Sequence, residues 1–140
     1  IKAIDISKEA LEVANVNAES FRLNLEFICM DFLDESEWHK LQNPDIIVSN
    51  PPYISVDEMI SMNDNVLNYE PHIALFSNDH LLFYKKIAKF ASQLVNKPMV
   101  FCEINPLFAA ETSQVFKEFG FTNVSILDDL QTRPRILIAQ

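Results

Sequence analysis

Short apolar runs alternate with stretches of helical period along this chain. Ile1 to Asp5 reads as a strand ending in a carboxylate, Leu25 to Cys29 as a second, and Asp45 to Ser49 as a third, buried and parallel. Between the first two, Ser7 is placed to cap a helix running to about Phe21, with Leu11, Ala14, Ala18 and Phe21 on one face. A short helical segment around Ser36 to Leu41 precedes Pro44 and the third strand. This β-α-β-α-β rhythm implies a parallel sheet with right-handed crossovers.

The pattern lapses from about Ile54 to Asn78, a polar stretch long enough to suggest a functional loop. Helical order returns from Asp79 to Val95, where Tyr84, Ile87, Ala88, Ala91, Leu94 and Val95 make an apolar stripe. Met99 to Ile104 reads as a strand. Asn105 and Pro106 read as an N-cap and first-turn proline opening a helix that Gly120 closes. Asn123 to Leu127 and Ile136 to Ala139 read as a final antiparallel hairpin, because the turn from Asp128 to Pro134 is too short for a crossover.

Composition narrows the function classes. With 140 residues, 49% of them hydrophobic, the chain can bury one core, so one domain is expected. A formal charge of −9 repels phosphate backbones and argues against unaided nucleic-acid binding. Cys29 and Cys102 lie in apolar runs without CxxC spacing, read as buried free thiols, and fit a reducing cytoplasm. No run reaches membrane-spanning length, no secretory leader is visible, and no metal set is expected. A single glycine, Gly120, stands where average usage would supply roughly ten.

The chemistry concentrates after the third strand. Asn50-Pro51-Pro52-Tyr53 stops an apolar run with two residues that lack backbone donors and have fixed φ, leaving a rigid corner. Strand tips at their carboxyl ends are where ligands bind in open α/β sheets. An ordinary Pro-rich loop is the bland alternative. The flanking Asn50 and Tyr53 favour a site. Elsewhere, His39 and His80 read as surface helix residues, Trp38 as a cover for apolar surface, and Glu103 as structural or as pocket rim.

The order strand-Asp, helix, strand-Asp, strand-Asn-Pro-Pro-Tyr, helix, strand, helix, hairpin resembles a Rossmann-like methyltransferase that uses S-adenosylmethionine. Together with Tyr69-Glu70-Pro71-His72-Ile73-Ala74-Leu75, the corner resembles the release-factor glutamine N5-methyltransferases. Asn-Pro-Pro-Tyr alone is shared with methyltransferases acting on base amino groups, adenine N6 or guanine N2, which is the alternative function. A third reading is a non-catalytic module with a vestigial cofactor fold.

The resemblance implies an α/β fold with a mostly parallel sheet ending in an antiparallel hairpin, and a peptide chain release factor as substrate. Asn50, Pro51 and Tyr53 are implied as catalytic and, with Pro52, as substrate-binding. Asp5, Asp31, Phe32 and Asn50 are implied at the cofactor, Asp5 toward the ribose and Asp31 toward the adenine. A loop-shaping role is as well supported for Glu70 and His72 as acid-base chemistry. Asp31 has a bland competitor, a solvated acidic loop with Asp34 and Glu35. Family members carry a first strand and Gly-rich loop upstream, so a truncated domain is expected, with a gap, a repacked sheet or an intermolecular contact between the first and third strands.

Overall fold

Strands distant in sequence pair in parallel here, and their register decides which residues share a strand end. A computed structural model describes residues 1–52 and 79–140. Two compact units emerge, Ile1–Gln42 and Asn43–Gln140.

In the first unit, β1 (Lys2–Asp5) pairs in parallel with β2 (Glu26–Cys29), setting Lys2 opposite Glu26 and Asp5 opposite Cys29. An ion pair of 3.1 Å joins Lys2 and Glu26 across the strands. Helix α1 (Lys8–Ser20) starts where expected, because the Ser7 hydroxyl accepts the Ala10 N–H at 3.1 Å. Leu11 and Ala18 bury its inner face. Phe21 does not join them and is 76% exposed, since it is the C-cap residue, where the backbone has left helical geometry. A six-residue 3₁₀ helix, Glu35–Lys40, follows, capped by the Asp34 carboxylate on Ser36 N–H.

The second unit is a four-stranded mixed sheet in the order β3-β4-β6-β5. Strand β3 (Ile46–Ser49) runs parallel to β4 (Met99–Glu103), while β6 (Pro134–Ala139) lies antiparallel to both β4 and β5 (Val124–Asp128). Helices α2 (Leu82–Gln93) and α3 (Ala109–Glu118) pack together, and α3 also packs on β5 and β6. Val100, Cys102, Leu137 and Ala139 are fully buried on one sheet face; Tyr84, Ile87, Ala88, Ala91 and Phe116 supply helical core. Val95 leaves the expected stripe and is almost wholly exposed, because α2 ends at Gln93.

Two expectations are corrected by burial. The run before the corner is parallel but not buried: Ile46 is 58% and Val48 78% exposed, on the outward face of a strand at the sheet edge. A continuous apolar run reads as buried on both faces, yet a strand with one neighbour can leave one face bare. Cys29 is exposed, its thiol 3.6 Å from the Ile6 carbonyl, whereas Cys102 is buried as expected. Strands β1 and β3 belong to different sheets.

The ends of α1 and α3 show how the chain manages with one glycine. After α3, the Gly120 N–H donates to the Lys117 carbonyl and Phe121 N–H to the Phe116 carbonyl, with φ of 89° at Gly120. The Phe116 and Phe121 rings meet edge-on at 5.5 Å, which completes a Schellman motif. After α1 the same bonds run from Arg22 to Glu19 and from Leu23 to Ala18, but the left-handed position, φ 55°, is held by an arginine. A Cβ there costs about 1 kcal/mol.

Replacing Arg22 by glycine should therefore stabilise the protein by roughly 1 kcal/mol, less the entropy glycine adds to the unfolded chain, measured by urea denaturation. Burial pushes the Cys102 thiol up to about 12, so at mildly alkaline pH iodoacetamide should label Cys29 and spare Cys102 in the folded protein, as peptide mass spectrometry will show. Asp79 holds Lys85 at 2.8 Å and caps Leu81 N–H, and these contacts lower its pKa below the ordinary 3.8. A depressed carboxyl stabilises the fold above its unfolded pKa and loses that contribution as pH falls through the folded one. The melting-temperature deficit of Asp79→Asn should therefore be present at neutral pH and shrink below about pH 4.

Candidate functional site

The corner begins where β3 ends. Pro51 is buried and Asn50 exposed, so the ring anchors the turn while the amide faces outward. Proline's fixed φ limits where the Pro51 carbonyl can point. Because Ser49 lies opposite Cys102, the residues that follow on the parallel strands are Asn50 and Glu103. Strand β4 ends in Asn105, 7% exposed, whose side chain accepts Leu107 N–H at 3.0 Å and opens the 3₁₀ turn Pro106–Phe108 ahead of α3.

Around Glu103 the backbone and side chain are separately held. The Tyr84 hydroxyl donates to its carbonyl at 2.9 Å, and Arg135 Nη1 lies 3.4 Å from its Oε1. Arg135 Nη2 lies 3.5 Å from Asp129 Oδ2. Asp129 also accepts Arg133 N–H, and this bond first, with the Gln131 N–H and Arg135 behind it, keeps its carboxyl below the ordinary range.

In the first unit, Asp5 ends β1 and Asp31 lies two residues past the end of β2, at the carboxyl end of the two-stranded sheet, where Met30 N–H donates to the Asp5 carbonyl at 3.0 Å. Asp5 is exposed, and its Oδ1 accepts Ser7 N–H at 2.7 Å. The Asp31 loop closes on itself: Asp31 Oδ1 accepts Leu33 N–H, and Asp31 N–H donates to Glu37. Hydrogen bonding to Lys40, then to Asp31 N–H, holds the Glu37 carboxyl below the usual range. Phe32 stacks on buried Trp38 at 5.6 Å, and its carbonyl accepts the Trp38 indole N–H at 2.8 Å. That bond commits the Phe32 carbonyl to the loop.

Pro52 is half-buried beside Pro51. Tyr53, Tyr69, Glu70, Pro71 and His72 lie outside the described residues. His80 is not a plain surface residue: it precedes α2, its ring lies 3.9 Å from that of Phe108, and Nε2 is 3.1 Å from Glu111. His39 does sit on the surface, with Nδ1 at 2.7 Å from the Ser36 carbonyl. Among the described residues no three His, Cys, Asp or Glu side chains converge as a metal set. Sequence reading missed the chain of charges Glu103, Arg135 and Asp129. A charge ending the apolar run Met99 to Cys102 marks Glu103, but no local pattern links it to Arg135, 32 residues on.

No protein-family model matches the chain. In fold it is like the crystal structure of ribosomal protein L11 methylase from Lactobacillus delbrueckii subsp. bulgaricus, with a TM-score of 0.58 at 18% identity over 99% of this chain and 55% of that one. A putative rRNA-methylase from Clostridium thermocellum matches with a TM-score of 0.54 at 15% identity, over 99% and 72% of the two chains. The α/β architecture is thus the fold these two proteins share.

Sequence relatives are more specific. The release factor glutamine methyltransferase of Lactococcus lactis subsp. lactis is 43% identical over 98% of this chain and 50% of its own length. Those of Flavobacterium psychrophilum and Bacillus subtilis are each 38% identical, over 96% and 99% of this chain. They are covered to 48% and 49% of their lengths. Along almost all of its length the chain is therefore similar to release factor glutamine methyltransferases, and it spans about half the length of the curated relatives it matches.

Proposed function

We propose that the chain is the carboxyl-terminal part of a methyltransferase catalytic domain that transfers a methyl group from S-adenosylmethionine to a glutamine side-chain amide in the Gly-Gly-Gln loop of a peptide chain release factor. The observation that carries this reading is the Asn50–Pro51 corner at the carboxyl end of β3, in a chain similar over at least 96% of its length to release factor glutamine methyltransferases.

The first unit fits the adenosine part of the cofactor. Asp5 is exposed at the tip of β1 with one carboxylate oxygen bonded to Ser7, which leaves acceptor capacity suited to a ribose diol. Asp31 stands on the neighbouring strand end, on the side we assign to adenine, and the stacked Phe32 and Trp38 support its loop. When bound, the cofactor supplies an electrophilic methyl group on a sulfonium.

The chain's own residues act on the acceptor. An amide nitrogen is a poor nucleophile because its lone pair is delocalised into the carbonyl. Acceptors for its two N–H hydrogens, placed to favour a pyramidal nitrogen, stabilise the transition state more than the planar ground state. The Asn50 side-chain oxygen and the Pro51 carbonyl take those roles, and Tyr53 supplies a ring face against the flat amide. Holding the nitrogen in line accounts for most of the remaining rate gain.

Methylation of a nucleic-acid base is disfavoured, because a net charge of −9 opposes the approach of a polyanion. We place the enzyme in the cytoplasm, in keeping with the buried free thiol of Cys102. Among the described residues no helix is long and apolar enough to cross a membrane. In the full-length protein that carries this chain, Asn50→Ala should slow methylation of a release factor by about 100-fold and leave the melting temperature unchanged. Tyr53→Ala should act in the same direction. Mass spectrometry of the Gly-Gly-Gln peptide is the readout, and undiminished methylation would remove the corner from the mechanism.

A further inference from the structure

Asp31 is held at three points. Its carbonyl accepts Asp34 N–H at 3.1 Å, its Oδ1 accepts Leu33 N–H at 2.9 Å, and its own N–H donates to Glu37 Oε2 at 3.0 Å. The first two bonds are local and accompany any aspartate that opens a tight turn. The third comes from the side chain of a residue six positions on, in the 3₁₀ helix. Glu37 is itself fixed. Its Oε1 pairs with Lys40 one turn further along, and the adjacent Trp38, 7% exposed, locks the helix to the loop through its indole N–H on the Phe32 carbonyl. At the far end, the Lys40 carbonyl accepts Lys2 Nζ at 3.3 Å, and the same ammonium pairs with Glu26. The segment from Asp31 to Lys40 is therefore a strap tied to the first residues of β1 and β2, and Glu37 grips the Asp31 backbone from it.

Resting on the assignment of Asp31 to the adenine, we propose that Glu37 is a positioning residue for cofactor recognition: by holding the Asp31 N–H it fixes the Asp31 carboxylate as an acceptor for the 6-amino group of the base. Beyond its bond to Leu33, that carboxylate has acceptor capacity to offer such a donor. A carboxylate on a loose loop must be ordered when the amine arrives, and the lost freedom offsets much of the new bond. A held carboxylate has already lost that freedom, so the bond contributes in full. Glu37 thereby sets how strongly the protein prefers a purine with a 6-amino group, without touching the base.

Binding tests this apart from methyl transfer. In the full-length protein that carries this chain, calorimetry would compare S-adenosylhomocysteine with its analogue in which hydrogen replaces the 6-amino group. The parent should bind the amino compound about 30-fold more tightly, the order expected of a hydrogen bond to a charged group. Glu37→Ala should lower that ratio to about threefold, as one newly mobile side chain implies, and leave the affinity for the deamino analogue unchanged. Glu37→Gln keeps an oxygen to accept Asp31 N–H and should stay within about twofold of the parent ratio. The inference is overturned, with the Asp31 assignment intact, by any of three results: a parental ratio in Glu37→Ala, an equal loss of affinity for both ligands, or a Glu37→Gln variant as unselective as Glu37→Ala. A parent that binds both ligands equally would remove the Asp31 assignment and this inference with it. A parent that binds neither would remove the methyltransferase reading as well.

Discussion

The pairing of β3 with β4 is the constraint on which the second unit depends. The two strands lie some fifty residues apart in the chain, and only the register Ile46 with Met99 through Ser49 with Cys102 brings their ends level. A shift by one residue would turn every side chain of β3 to the other face and move the corner off the strand end. Two prolines stop β3 just past that register, and Pro51 is buried, so the corner's position is set by packing as well as by covalent geometry.

Charge and burial then divide the labour between the two ends of this sheet. The fully buried face, with Val100, Cys102, Leu137 and Ala139, is apolar and needs no polar partner. Polar groups gather at the carboxyl ends of β3 and β4 and near the β5–β6 turn, where Asn105 caps the next turn and Arg135 ties Glu103 to Asp129. In the first unit the carboxylates of Asp5 and Asp31 likewise lie at strand ends, each bonded to backbone within its own loop. Those bonds order the loops. They also limit how many acceptors each carboxylate has to offer a ligand.

Much of the fold was legible because its signals are local. Ser7 and Asn105 cap as their side-chain chemistry requires, and Gly120 closes α3 in the left-handed geometry only glycine enters freely. The hairpin of β5 and β6 follows from a link too short for any crossover. Arg22 was not legible as the end of α1. A Schellman turn there satisfies two carbonyls, and the structure accepts a strained arginine to make it.

By itself the sequence determined the elements, their order and the stiff corner at Asn50 and Pro51, since capping, periodicity and proline's fixed φ act over a few residues. Tertiary structure alone decided burial and partnership. It left Ile46 and Val48 uncovered on an edge strand, put Cys29 at the surface while sealing Cys102, and laid His80 on Phe108. It also joined Glu103 to Arg135 across 32 residues. These outcomes depend on which surfaces meet, and apolar character shows only that a residue is able to be buried; the strand register and the layers packed on it determine whether it is.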